Sequence, residues 1–258
     1  MKRFFRLTML LCLALTIGGV SSCYKNPTPT CTGSKNSILI TRDLYSFCFD
    51  FETKQPTWVL QVVNANSFSA SSNGLVGDYR PDPDIPIQLQ TSAEEYKESQ
   101  WVIGNYLFPF DQDEEEVSEE SLADRFLFSV TSPQEPKFHN GYWKTLKDRV
   151  IELAKEKIVA VFDFNVAVIS GPLFLQEKEK GTKFLGNSHC PIPTHFFQVI
   201  FPTANPDDVE VYVVPNENVD ISKPLSDFKV SLRELEKQSG IKDMKGVARR
   251  LVNPGPIL

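Results

Sequence analysis

Three histidines, at positions 139, 189 and 195, are the side chains of this chain whose ordinary pKa puts their charge change near neutral pH. His139 opens a run in which Trp143, Leu146, Val150, Leu153, Ala154 and Ile158 recur every three or four residues, with charges between them. That period predicts an amphipathic helix from His139/Asn140 to Lys157. A histidine at the head of a helix offers a general base or a metal ligand. The plainer alternative is a helix-start residue beside Asn140, whose carboxamide caps the helix. His195 precedes the strand-like run Phe196–Phe201, where a core histidine is the default. His189 stands beside Cys190, too sparse a pair for a metal site, and the cysteine spacing fits no paired-cysteine zinc pattern. Between Asp111 and Glu120 lie seven acids and no base. They lack the spaced ligands and glycine of an EF-hand and read as a solvated loop.

Strands and helices around these residues set the fold class. Ser37–Thr41, Leu44–Asp50 and Thr57–Val63 are β-rich, with Lys54-Gln55-Pro56 as the connection between the last two. Asn64–Pro86 reads as loop. Phe126–Val130 is expected to be a strand. Ile158–Ile169 is expected to be another, ended by Ser170-Gly171-Pro172. Phe196–Phe201 and Val209–Val214 follow as strands, and Ser231–Gln238 as a helix stopped by Gly240. Strands in adjacent hairpins, mixed with isolated helices, indicate an antiparallel-rich α+β domain rather than a βαβ repeat.

The first residues point to export. Lys2, Arg3 and Arg6 precede the short apolar stretch Leu7–Ile17, which is too short to span a bilayer comfortably. Val20-Ser21-Ser22-Cys23 resembles a bacterial lipobox, in which Cys23 would be lipidated and hold the protein on a membrane. A plain secretory signal is the alternative. The expected organisation is a signal peptide over 1–22, a lipidated tether over 23–36 and one domain over 37–258. Loss of the three leader cations takes the net charge from −6 to −9. An acidic total disfavours avid nucleic-acid binding. Cys31, Cys48 and Cys190 leave one disulfide and one spare thiol in an oxidising compartment, with the pairing open.

Three runs share a family likeness: Tyr96–Asp111 (YKESQWVIGNYLFPFD), Phe126–Val150 (FLFSVTSPQEPKFHNGYWKTLKDRV) and Cys190–Phe201 (CPIPTHFFQVIF). Together they resemble the DNA/RNA non-specific endonucleases, the endonuclease G-like ββα-metal (His-Me finger) nucleases. Trp58-Val59, Tyr79–Pro83, Gly171–Phe174, Val213–Asn216 and the helix in Phe228–Gly240 extend the likeness across most of residues 45–240. It implies a central antiparallel sheet flanked by helices, and phosphodiester hydrolysis with one divalent metal, Mg²⁺ or Mn²⁺, and one histidine base.

The positions that would carry this chemistry depart from the family pattern. Its Asp-Arg-Gly-His stretch reads Val102-Ile103-Gly104-Asn105 here, so the base position holds Asn105. A carboxamide has no titratable proton near neutral pH and is no general base. The asparagine that serves the family as metal ligand corresponds to His139, five residues after Gln134 and four before Trp143. The family's glutamate corresponds to Lys147, an ammonium that repels a nearby divalent cation, and its arginine to Ile151. The resemblance therefore implies a weak or inactive nuclease homologue acting by binding at the envelope, through membrane contact and a protein partner of unspecified kind. The rival reading is an active metal-dependent phosphodiesterase rebuilt around His139 and Asn105, with His139 as base or metal ligand.

Overall fold

The computed structural model describes residues 27–31, 36–64, 77–108, 119–156, 165–175, 181–202 and 207–252. Its strands are β1 (Ser37–Thr41), β2 (Tyr45–Asp50), β3 (Gln55–Asn64), β4 (Val102–Asn105), β5 (Thr131–Gln134), β6 (Asn165–Leu173), β7 (Phe184–Leu185), β8 (Cys190–Pro191), β9 (His195–Pro202) and β10 (Glu210–Pro215). Its helices are α1 (Ala93–Lys97), α2 (Glu119–Ala123), α3 (Pro136–Phe138), α4 (Lys144–Glu156), α5 (Leu232–Ser239) and α6 (Met244–Val252), with a π-helical turn over His139–Trp143 between α3 and α4. Six strands form the central sheet in the order β1-β2-β3-β6-β9-β10, every neighbouring pair antiparallel. The α+β class with an antiparallel central sheet flanked by helices is as the sequence predicts.

Alternation along the strands builds two cores, one on each face. Phe47, Phe49, Val166, Val168, Phe196 and Ile200 pack with Trp143 of the π turn and with Leu146, Val150 and Leu153 of the long helix α4. Their neighbours Cys48, Ala167, Ile169, Phe197 and Val199 face the other way, onto Leu235 of α5 and Met244 and Val247 of α6. The result is a three-layer arrangement, with the β4–β5 hairpin and the long helix on one side and the two C-terminal helices on the other.

Four local expectations are corrected. Phe126–Val130 is not a strand but two 3₁₀ turns, Asp124–Phe126 and Phe128–Val130, and the strand begins one residue later at Thr131. The Val130 N–H turns back to the Leu127 carbonyl at 3.3 Å, and Leu127 pairs only in an isolated bridge with Arg80, so the segment has turn bonding rather than a strand ladder. Pro133 is tolerated within β5 because β4–β5 is a two-stranded ribbon. The β2–β3 turn is Phe51–Lys54, with Lys54 at φ 56°, whereas Gln55 and Pro56 already belong to β3.

Ser170-Gly171-Pro172 does not end β6, which runs on to Leu173. A Cβ on Gly171 would lie 2.4 Å from the Thr57 carbonyl oxygen, so this glycine marks a close approach of β3. Pairing with β3 stops at Ser170, so Pro172 needs a partner only in β9. The helix expected from His139 starts three residues earlier, at Pro136. There the Glu135 side chain accepts from the Phe138 N–H, and Asn140 bonds back to the Pro136 carbonyl rather than capping.

Other expectations hold. Ser231 caps α5, and Gly240 ends it in the left-handed region at φ 72°. Cys31 and Cys48 form the disulfide, leaving Cys190 as a buried free thiol. Part of the segment expected to be a tether is therefore docked. Its Thr30 carbonyl also accepts from the Trp58 indole at 3.1 Å. Cys23, the apolar leader, residues 109–118 with most of the acidic run, and 157–164 lie outside the described residues. No described helix is long and apolar enough to cross a membrane.

Candidate active site in the ββα unit

β4 and β5 pair from Val102↔Gln134 to Asn105↔Thr131, and α3, the π turn and α4 follow at once. This is a ββα unit, fastened to the main sheet by aromatic contacts. The Phe138 ring stacks on Phe196 at 5.2 Å, while Trp143 lies 5.6 Å from Phe196 and 5.7 Å from Tyr106. The Trp143 indole N–H also donates to the Asn105 carbonyl oxygen, tying helix to hairpin. Asn216 bridges the end of β5 to the rest of the molecule, accepting from Glu135 N–H and donating to the Pro133 and Pro193 carbonyls.

Asn105 is 5% exposed, and its carboxamide is fully engaged with protein. Its Nδ2 donates to the Arg125 carbonyl at 2.7 Å and to the Tyr79 hydroxyl at 3.2 Å, and its Oδ1 accepts from Leu107 N–H at 2.7 Å. Both amide hydrogens are spent, so none is left to orient a water. Strand alternation adds to this. Gln134 faces Gly104, so Asn105 projects from the opposite side of the hairpin. No contact joins Asn105 to His139 among the described residues.

His139 is half-buried in the first position of the π turn, a helical irregularity that often accompanies functional sites. Its Nδ1 lies 2.7 Å from Gln134 Oε1. An amide oxygen there requires the proton on Nδ1, leaving the lone pair on Nε2, which has no partner among the described residues. Burial, and then the charge of Lys147, lower the pKa, so the ring is neutral at pH 7. Gln134 holds this ring from below. It is fully buried, its Nε2 lacks a partner, and it fits only because position 104 is glycine: a Cβ there would lie 2.2 Å from Gln134 Cδ.

Lys147 is partly exposed as a residue, but its ammonium is packed inward. Nζ donates to the Leu107 carbonyl at 2.9 Å and lies 5.6 Å from the Phe108 ring and 5.9 Å from the Trp143 ring. Burial lowers its pKa to about 8. The structure thus brings His139 and Lys147 within electrostatic reach of each other and leaves Asn105 apart.

The divalent metal implied by the resemblance does not fit these side chains. Its ligand position is an imidazole and the neighbouring acidic position is a cation. No group of three His, Cys, Asp or Glu among the described residues is arranged to hold a metal. His195 accepts or donates at Thr194 Oγ1 at the start of β9, in keeping with a structural role. His189 is exposed while Cys190 is fully buried, so that pair does not converge on a site. Sequence reasoning missed two supports, Gln134 as the orienter of His139 and the Leu107 carbonyl as the anchor of Lys147. The Gly104-to-Gln134 fit leaves a trace only as a glycine inside a strand.

The framework residues beyond the unit are also structural. Asp82 is buried and accepts from Arg42 at 2.7 Å, from Asp84 N–H and from the Ser129 hydroxyl. Arg80 pairs with Asp124, which also meets Arg42.

The family model described as DNA/RNA non-specific endonuclease matches residues 25–250. The mitochondrial nuclease EXOG of Homo sapiens is 28% identical over 208 residues, covering 76% of this chain and 54% of that protein. Mitochondrial endonuclease G of Homo sapiens is 27% identical over 211 residues, covering 79% and 68%. The mitochondrial nuclease of Saccharomyces cerevisiae is 28% identical over 226 residues, covering 81% and 66%. The chain thus spans about half the length of the EXOG relatives it matches. The solved EndoG/EndoGI complex, described as showing the mechanism of EndoG inhibition, aligns with TM-score 0.67 at 24% identity, over 79% of this chain and 84% of that one. That likeness carries the ββα-metal nuclease fold.

Proposed function

Since this chain belongs to the DNA/RNA non-specific endonuclease family, we propose that it is a divergent member that has kept the ββα frame and lost hydrolytic chemistry. One observation carries this reading. The family's base position is Asn105, buried and bonded through its carboxamide to three protein groups. Phosphodiester hydrolysis needs a base to deprotonate water and a cation to neutralise phosphate charge. Asn105 supplies no base, and Lys147 opposes a divalent cation near His139. What remains is a binding role at the bacterial cell envelope, reached by export and anchored through a lipid on Cys23.

The rival, an active nuclease using His139 with Mg²⁺ or Mn²⁺, has one specific support. His139 is held neutral, with Nε2 free of protein partners among the described residues. Plasmid DNA and RNA incubated with the protein in Mg²⁺, Mn²⁺ and EDTA separate the two readings. The proposal expects no cutting above the EDTA arm. Metal-dependent cutting that His139→Ala abolishes would refute it. For the anchor, Cys23→Ala is expected to abolish fatty-acid labelling and move the protein from the membrane to the soluble fraction. Unchanged labelling would refute lipidation at Cys23.

A further inference from the structure

Lys147 is the anomaly of this molecule. Arg42 is paired with Asp82 and Asp124, and Arg149 with Glu210 and Glu152. The Lys147 ammonium is turned inward between two aromatic faces, yet it has no carboxylate partner among the described residues, only the Leu107 carbonyl. A charge taken out of water without a counter-charge is costly, and an arriving anion relieves that cost. One of its three N–H donors is used, leaving two for an incoming oxyanion. His139 sits nearby with an uncommitted Nε2, oriented by Gln134 through Nδ1.

We propose that the ββα unit is a metal-independent anion site, in which the Lys147 ammonium takes the charge-neutralising place of the divalent cation and binds a phosphate oxyanion, while the Nε2 lone pair of His139 beside it accepts from a P–OH where the phosphate carries one. The sign of the charges supports this. An ammonium repels a divalent cation placed beside it but attracts a phosphate at the same point. Lysine serves as a point charge for phosphate and imposes no fork geometry, so one side chain on one helix is sufficient. The inference rests on the reading that the family's metal chemistry has been lost.

The test uses the full chain in EDTA, titrated calorimetrically with inorganic phosphate and, separately, with a dinucleotide whose only phosphate is the internal diester. The ¹³Cε1 resonance of His139 is followed in parallel. The proposal expects saturable binding of at least one probe, a shift of the His139 resonance, at least tenfold weaker binding in Lys147→Gln and retention in Lys147→Arg. The tighter probe identifies the source, free phosphate or strand. Lys147→Met provides a second neutral variant, and phosphate is expected to raise the melting temperature of the parent chain but not of this variant. Binding of neither probe, binding that requires Mg²⁺, or equal affinity in the neutral variants would overturn the proposal. Metal-dependent cutting of plasmid would instead overturn the loss of hydrolysis, and would leave a phosphate-binding result in EDTA standing.

Discussion

Asn105 shows how a catalytic position becomes a structural one. Its amide satisfies a strand-end N–H, a buried carbonyl and a tyrosine hydroxyl. Truncation strands those groups, so Asn105→Ala is expected to cost about 1–3 kcal/mol in urea unfolding. A cost under a few tenths of a kcal/mol would contradict the assigned role. His139 and Lys147 carry charge predictions of defined sign. The folded pKa of His139 is lowered, so the unfolded chain binds more protons below the ordinary value of about 6.5. Its contribution to stability is therefore present above that value and is lost as pH falls through the folded pKa. Relative to His139→Gln, the parent chain should lose stability on acidification from pH 6.5, and parallel stability curves would refute this. Lys147, lowered from 10.5 to about 8, gives the same sign in a higher window. Relative to Lys147→Met, the parent chain should gain stability between pH 8 and 10.5. At pH 7, without added anion, the methionine variant should be more stable by about 2 kcal/mol, because it removes an unpaired buried charge.

At the scale of elements, the ββα unit depends on two fits that ordinary patterning does not encode. One is Gly104 beneath Gln134. Gly104→Ala is expected to cost about 1–3 kcal/mol through overpacking. It should also displace Gln134 from His139, removing an acceptor that favours the protonated ring, seen as a fall of the histidine pKa by NMR titration; an unmoved pKa would argue against Gln134 as the orienter. The other is the helix start at Glu135-Pro136. The apolar period from Trp143 to Ala154 shows in the sequence because those residues face one core. The first turns do not, since a π turn breaks the 3.6-residue repeat and Glu135 is an uncommon cap. The same limit hid the turns at Phe126–Val130, where three consecutive buried residues look like a strand until their partners are known. The main-sheet strands were legible from alternation and β-branched content. Gly171 and Pro172 misled because a glycine under a crossing carbonyl and a proline beside a finished pairing have the composition of a turn.

For the whole molecule, the family and the sheet-plus-ββα architecture were readable because the framework motifs survive in order along most of the chain. The exchange of Asn105 and His139 was readable as residue identity, but the separation of their side chains on opposite sides of a hairpin was not. Which cysteines pair was also illegible, since Cys31 lies in a segment of loop composition and meets β2 only in three dimensions. That bridge closes a sequence separation of 17 residues around the edge of the sheet. Its reduction is expected to remove about 2–4 kcal/mol of stability, read as a lower melting temperature in dithiothreitol. No change on reduction would show that the bridge does not contribute.

The central claim is that the family's metal position no longer holds a divalent cation. Titration of the protein with Mn²⁺, followed by electron paramagnetic resonance, tests it most directly. The prediction is no His139-dependent binding in the parent chain at Mn²⁺ concentrations up to about 1 mM, the upper end of ordinary ligand affinities. A single saturable Mn²⁺ site that vanishes in His139→Ala would contradict the account and make His139 a working metal ligand.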